Sequence, residues 1–187
     1  MASKYIQHKE QWNGCIECEL CERRKNVVLC RGELPANILF IGEAPGPAED
    51  VIGQPFVGPA GQLLDSMIVE AKMELDDLHN YLSCAFTNLV ACIPKGEDGK
   101  KFAEPDKSSI ESCAPRLDEI YRIANPYNVV CVGRLAEKWV PKLINREQVT
   151  ICSIIHPAAI LRMDASQKGL AIQRTTIAIR DVFLDYF

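Results

Sequence analysis

Short apolar runs alternate along this chain with longer segments in which apolar residues recur every three or four positions. The continuous runs are too short for helices and predict buried strands; they cover 37–41, 84–90, 128–132 and 149–155. The segments with helical spacing predict helices; they cover 60–72, 108–124, 135–143 and 170–187. Ser108 or Ser109 is expected to cap the second of these helices.

Strands that alternate with helices are typical of a mostly parallel sheet covered on both faces. We therefore expect one three-layer α/β domain over residues 1–187, a length that buries a full core. In such sheets, ligands bind beyond the carboxyl ends of the strands. The segments that follow 37–41, 84–90 and 149–155 should therefore meet at a single site.

The segment after the first strand, GEAPGPAEDVIGQPFVG (42–58), is rich in glycine, proline and carboxylates. Such a segment cannot form a packed core, and its composition predicts a loop shaped around a ligand. Asn88 lies near the end of the second strand, and His156, one of three histidines, follows the fourth. A turn-forming Asn and a core His are the plain alternatives, but their placement at strand ends favours a binding site.

Composition limits the cellular location and the binding partners that can be expected for the protein. The 187 residues are 48% apolar and 25% charged, as in soluble globular proteins. No apolar run approaches ~20 residues, so we expect no membrane span, and the first residues lack the apolar core of a secretory signal, so we expect a cytoplasmic location. The net charge of −4 argues against a broad nucleic-acid coat, whereas basic clusters at 22–25, 95–101 and Arg162 leave room for a local basic groove.

Nine cysteines in a cytoplasmic protein are expected to be reduced or metal-bound. Cys15 and Cys18 form a CxxC pair, which Cys21 extends. Thiols at this spacing are candidate ligands of a metal such as a structural zinc, and buried thiols are the plain alternative. The cysteines inside apolar strands are expected to be core residues; they are Cys84, Cys131 and Cys152.

Several motifs occur together in one order; they are GCIEC (14–18), RKNVV (24–28), GEAPGPAEDVIGQPFVGPAGQLLD (42–65), TNLVAC (87–92), Cys113 in ESCAPRL, NPYNVVCVG (125–133) and HPAAILR (156–162). This set resembles the family-4 uracil-DNA glycosylases, the iron–sulfur members of the uracil-DNA glycosylase superfamily. The resemblance implies that superfamily's α/β fold and a monomer that acts on uracil-containing DNA, single- or double-stranded. The implied reaction flips uracil out of the DNA and hydrolyses its N-glycosidic bond, leaving an abasic site.

The resemblance also assigns roles to single residues. Glu43 would position the attacking water or offset positive charge on the sugar, and His156 would donate a hydrogen bond to O2 of the leaving uracil. Phe56 would stack on the base, and the amide of Asn88 would read the N3–H and O4 of uracil.

The rest of the expected pocket comes from the 42–58 loop. Gly42, Gly46 and Gly58 would let the backbone approach the substrate closely. Ala44 and Glu49 match pocket residues of the family, although a helix-capping or solvated role suits Glu49 nearly as well.

Two further sites follow from the same resemblance. The HPAAILR segment would enter the minor groove, with Ile160 or Leu161 as an apolar wedge and Arg162 near a phosphate. A [4Fe–4S] cluster would tie the Cys-rich segment at 12–31 to the body. Its expected ligands are Cys15, Cys18, Cys92 and Cys113, with Cys21 as an alternative to Cys18 and Cys30 unassigned.

The chain departs from the family after the third cysteine, where Ile93-Pro94-Lys95 replaces the usual Arg-Pro-Pro. A phosphate contact would then fall to Lys95, Lys100 or Lys101. This departure and the acidic balance leave a second hypothesis open, namely a catalytically silent superfamily member that binds DNA or a partner. A Rossmann-type nucleotide enzyme is poorly supported, because Ala44 and Pro47 stand where GxGxxG requires glycine.

Overall fold

A five-stranded sheet with helices on both faces forms the body of the protein. The computed structural model describes residues 2–75, 81–96, 102–144 and 149–185. In chain order, the described elements are α1 (Ala2–Trp12), a 3-10 turn (Glu19–Glu22), β1 (Arg31–Gly32), β2 (Ile38–Gly42), α2 (Pro47–Ile52), α3 (Pro59–Met73), β3 (Cys84–Asn88), α4 (Lys107–Ala124), β4 (Asn128–Val132), α5 (Arg134–Leu143), β5 (Thr150–Ile154), α6 (Pro157–Leu161) and α7 (Ala165–Leu184).

The strands lie in the order β1-β3-β2-β4-β5. The four longer strands pair in parallel, and only the short β1 is antiparallel, against β3. Every residue of β2 is buried, as expected for a strand covered on both faces. The structure therefore confirms the predicted α/β architecture with a mostly parallel sheet.

The two faces of the sheet carry separate cores, and the side chains of β2 alternate between them. Leu39 and Ile41 pack with apolar residues of α4 and α5. Ile38 and Phe40 pack with apolar residues of α3, α6 and α7. Helices on both faces leave the carboxyl edge of the sheet as the place where side chains from several strands can meet.

Some elements were not predicted from the sequence. The short helix α2 lies inside the Gly- and Pro-rich loop, with Pro47 at its first position. Helix α1 packs on α4, where Trp12 Nε1 donates a hydrogen bond of 2.6 Å to Glu119. The predicted cap of α4 was wrong: Asp106 is the N-cap, and its carboxylate accepts from the Ser109 N–H at 2.8 Å. The last helix begins at Ala165, earlier than predicted.

None of the helices within the described ranges combines the length and the apolarity that a membrane span needs.

Candidate active site

The ends of four strands open into one cavity at the carboxyl edge of the sheet. β2 leads to Glu43, β3 ends at Asn88, β4 leads to Gly133, and β5 leads to His156. The cavity measures about 1150 Å³, and its lining includes all of these residues together with Phe56. The structure therefore brings together the side chains that the three predicted loops supply.

The side chains of Asn88 and Phe56 lie side by side against the backbone of Gly42, which has no side chain. Gly42 is level with Asn88 across the β2–β3 pairing. A Cβ atom at Gly42 would lie 2.5 Å from Asn88 Oδ1 and 2.6 Å from Phe56 Cζ. Only glycine leaves both groups in place here, so the backbone, an amide and an aromatic ring converge on one corner of the cavity.

The conformation of Phe56 is fixed by its surroundings rather than by its own preference. Its φ of 57° lies in the left-handed region, which a bulky residue rarely adopts. Arg31 donates to the Phe56 carbonyl at 3.3 Å, and a Cβ at Gly61 would lie 2.0 Å from that same oxygen. The ring packs against Phe86 with centroids 5.9 Å apart and is only 6% exposed. Backbone strain of this kind often marks binding sites, and here it holds a core aromatic at the cavity wall.

Glu43 and His156 approach each other across Gly133. Gly133 has a φ of 96°, and a Cβ there would lie 2.9 Å from Glu43 Oε1 and 3.0 Å from His156 Cβ. The role of Gly133 was missed from the sequence, although its place directly after a strand was a usable signal. Its missing side chain is what lets a carboxylate and an imidazole share one side of the cavity.

The environment of Glu43 disfavours its charged form. Burial raises the pKa of its carboxyl group, and the nearby Glu104 carboxylate raises it further. A hydrogen bond from the Leu135 backbone and the positive charge of Arg162 act in the opposite direction. Glu43 is therefore a carboxylate whose proton affinity depends on charges around the cavity mouth.

His156 is held as a hydrogen-bond donor toward the cavity. Its Nδ1 accepts the Ala158 N–H at 3.1 Å, at the start of α6. In the neutral ring the proton therefore resides on Nε2, an assignment that follows from this hydrogen bond. Burial, followed by the charge of Arg162, lowers the pKa of His156, and Glu49 opposes this shift. At neutral pH the ring is uncharged and can donate through Nε2.

Glu49 is used by the loop itself. Its Oε1 accepts the backbone N–H groups of Val57 and Gly58 at 3.0 and 2.8 Å, and its Oε2 accepts that of Gly46 at 3.1 Å. A Cβ at Gly46 or Gly58 would meet this carboxylate at 2.8 or 3.1 Å. The two glycines make room for the Glu49 carboxylate, a different role from the close approach of backbone to substrate that was predicted for them. Glu49 lines the cavity but serves first to close the loop around α2.

Asp50 ties the same loop to the Cys-rich segment. Asp50 is 2% exposed. Its carboxylate accepts hydrogen bonds from the N–H groups of Lys25 and Asn26 at 2.7 and 3.3 Å. It also forms an ion pair of 3.3 Å with Lys95. Lys95 is therefore engaged within the protein, and the phosphate contact predicted for it stays a prediction. Lys100 and Lys101 lie outside the described residues.

The predicted DNA-facing segment forms the short helix α6. Ile160 is fully buried in the core, so the wedge role predicted for it is wrong. Leu161 is 37% exposed, and Arg162 is exposed and lines the cavity. Two exposed basic residues of α5, Arg134 and Lys138, line the cavity as well and were missed. Arg134 directly follows Gly133 at the end of β4, and Lys138 lies four residues later on the same face of α5. This spacing was the available signal.

The four cysteines expected to bind a cluster line one separate, small cavity. They come from three regions of the chain: Cys15 and Cys18 after α1, Cys92 after β3 and Cys113 within α4. Cys21 lines the same cavity, so the structure does not separate it from Cys18. Cys131 is buried in β4, as predicted, whereas Cys84 and Cys152 are partly buried. Across the described ranges, no three His, Cys, Asp or Glu side chains are grouped as they would be around a single metal ion.

The chemistry of this second cavity fits thiolate ligation. Its other walls are largely apolar, with Trp12 and Val27 among them, and Arg24 donates to Cys92 Sγ at 3.6 Å. Burial raises the pKa of Cys92 to about 12, against the opposing effect of Arg24. A buried thiolate is costly unless positive charge compensates it, which metal coordination does. The donor set thus suits a group that binds four thiolates.

Fold and site together define an α/β protein whose pocket, lined by both polar and apolar side chains, lies at the carboxyl edge of its sheet. A sequence model described as the Uracil DNA glycosylase superfamily matches residues 31–177. The type-4 uracil-DNA glycosylase of Pyrobaculum aerophilum is 32% identical over 182 residues, covering 85% of this chain and 87% of that protein. That of Archaeoglobus fulgidus is 30% identical over 167 residues, covering 79% and 78%. The chain belongs to the uracil-DNA glycosylase superfamily and to its type-4 group, which confirms the family predicted from the motifs.

Proposed function

We propose that this protein hydrolyses the N-glycosidic bond of uracil in DNA and leaves an abasic site, as an enzyme of base excision repair. The observation that carries the proposal is the meeting of four groups in one cavity: Asn88 and Phe56 over Gly42, and Glu43 and His156 across Gly133. The names of the type-4 relatives support the same reaction.

Recognition would begin with a uracil flipped out of the DNA, at a cost of a few kcal/mol. The base would stack on the ring of Phe56 and present its edge to Asn88. The Asn88 amide offers an oxygen acceptor for the N3–H of uracil and an N–H donor for its O4. Cytosine carries the opposite polarity at both positions, so the same amide would reject it.

Cleavage leaves electrons on the departing base and positive charge on the sugar. The Nε2–H of His156 would donate a hydrogen bond to O2 of the uracil anion as the bond breaks. The carboxylate of Glu43 would stabilise the positive sugar and orient a water molecule toward C1′. The water oxygen becomes the new hydroxyl group on C1′, and its proton leaves through Glu43 to solvent.

The approach of DNA would depend on the basic residues around the cavity mouth. Arg134, Lys138 and Arg162 are exposed there, and each can contact a phosphate. Leu161 is the exposed apolar residue on α6, and it replaces Ile160 as the proposed wedge between bases.

We propose a [4Fe–4S] cluster as the cofactor, with Cys15, Cys18, Cys92 and Cys113 as its ligands; the thiols that line the second cavity support this proposal. When bound, the cluster supplies a covalent cross-link and negative charge; hydrolysis needs no electron transfer. The ligands themselves would pin the Cys-rich segment to the stretch after Asn88 and to α4.

The test is a single-turnover assay on single- and double-stranded oligonucleotides that contain one uracil, followed by alkali to reveal abasic sites. His156→Ala and Glu43→Gln should each lower the rate by about 10²–10³-fold, because each removes a group that acts on charge in the transition state. DNA affinity should change less than about tenfold. Glu111→Gln, an exposed carboxylate on α4, is the matched control and should keep the rate.

Two outcomes would decide against the proposal. If the unaltered protein, with iron bound, binds uracil-containing DNA but leaves every uracil in place, the protein is a catalytically silent binding module. If it releases cytosine from normal DNA, the recognition assigned to Asn88 is wrong, because the amide should reject the opposite polarity of the cytosine edge.

A further inference from the structure

Arg116 is a buried arginine that the reaction does not use. It lies on α4 and is 1% exposed. Its guanidinium donates to Thr87 Oγ1 at 2.8 Å, to the Leu89 carbonyl at 2.9 Å and to the carbonyl of Asn88. It therefore holds the main-chain carbonyls of Asn88 and Leu89, together with the side chain of Thr87, next to the amide that faces the base pocket.

The charge of Arg116 has no carboxylate partner among the described residues. Its Nε is also buried without a hydrogen-bond acceptor. Removing a charged group from water without a counter-charge costs several kcal/mol. Three neutral acceptors satisfy part of the guanidinium but leave its positive charge unbalanced.

The guanidinium lies near thiols at two described places, Cys30 and the Cys-lined cavity. Arg116 lines this cavity, and Cys113 lies one helical turn earlier on the same helix. Four thiolates around a [4Fe–4S] core carry a net negative charge. Arg116 thus stands with one side toward the proposed cluster ligands and the other toward the end of β3.

We infer that Arg116 is a positioning residue that links the iron–sulfur site to the base-reading amide. Its charge balances the cluster, and its planar fork holds the carbonyl groups of Asn88 and Leu89 so that the Asn88 side chain keeps its place over Gly42. This inference rests on the proposed function and on its cluster. It gives the cluster a second task besides pinning the Cys-rich segment.

The test separates the effect of the positive charge of Arg116 from the effect of the hydrogen bonds that its planar guanidinium donates. Arg116→Lys keeps the charge but cannot form the planar bidentate contacts, and Arg116→Gln loses the charge. Arg122→Gln, on the exposed face of the same helix with a side chain 75% exposed, is the matched control. Each protein is purified anaerobically with its cluster, and three quantities are measured: iron per chain, the reduction potential of the cluster and the single-turnover rate.

Arg116→Gln should shift the reduction potential to more negative values, because a nearby positive charge no longer favours the added electron. Arg116→Lys should keep the potential near that of the unaltered protein. Both variants should lose about tenfold or more in single-turnover rate, a usual cost of removing a supporting contact. The control should match the unaltered protein in all three measurements.

An iron-loaded Arg116→Gln variant with unchanged potential and rate would overturn the inference. If neither Arg116 variant retains iron while the control does, the side chain is needed for packing and the proposed division of its roles is wrong. Loss of iron from Arg116→Gln alone would support a requirement for charge. Failure of the proposed function is seen separately, in the iron content and uracil release of the unaltered protein.

Discussion

Replacing Gly42 by Ala should block the base pocket with a single methyl group. The added Cβ would lie 2.5 Å from Asn88 Oδ1, whereas ordinary contact begins near 3.4 Å. The amide would therefore have to move by about 0.9 Å, and the ring of Phe56 by a similar amount. Misplacement of about 1 Å can lower a rate by about 10²-fold, or ~2.7 kcal/mol.

The assay is single-turnover release of uracil with the enzyme in excess, alongside thermal unfolding. Overpacking at this buried position should cost about 1–3 kcal/mol of stability, so the folded fraction at the assay temperature must be measured. Gly169→Ala is the control, since a Cβ at that exposed helical position meets nothing within 4 Å. It should keep the full rate and leave the protein at least as stable.

A double variant sharpens the same reasoning. Asn88→Ala alone should lower the rate by about 10²-fold, because it removes the groups that pair with the uracil edge. If the methyl at Gly42 acts by displacing that amide, the combined variant should lose little more than either single one. Independent, multiplying losses would contradict this, and a Gly42→Ala rate within threefold of the unaltered protein would refute the proposed pocket outright.

Three further outcomes can be checked on the same preparations. Arg162→Ala should weaken DNA binding and reduce its salt dependence by about one phosphate contact, measured by titration at several salt concentrations, while the rate at saturating DNA is largely kept. Because Glu43 must be ionised, activity should fall as pH drops through its raised pKa, and Glu104→Gln should move that acid limb to lower pH in a pH–rate profile. Cys113→Ser should lose iron in metal analysis, whereas Cys131→Ser, buried in β4, should keep it.

The strands and the location of the site could be predicted because both follow from local patterns. A strand buried on both faces is a continuous apolar run, as in 37–41, and parallel strands end at one edge of the sheet. His156 and Asn88 could therefore be placed in one site before any contact was known. Neither inference needs information about distant residues.

The parts that could not be predicted depend on contacts between distant segments. Helix α2 forms within a Gly- and Pro-rich loop because Glu49 accepts N–H groups from Val57 and Gly58, eight and nine residues away. Ile160 and its neighbour Leu161 are alike in sequence, and only the packing of α6 against α3 and α7 decides which one is buried. Arg116 looks like a surface residue of a helix until the end of β3 is placed beside it.

The contacts of Asp50 set a limit on how far the chain can be shortened. A protein cut to begin at Arg31 would keep the whole sheet and both of its cores. It would also lose the two N–H donors, at Lys25 and Asn26, that hold the Asp50 carboxylate. Each lost hydrogen bond removes about 1 kcal/mol of stabilisation, and the Asp50 side chain sits on α2, the helix of the base-pocket loop. Lys25 and Asn26 therefore belong to the smallest unit that holds this loop in place, even though the sheet does not require them.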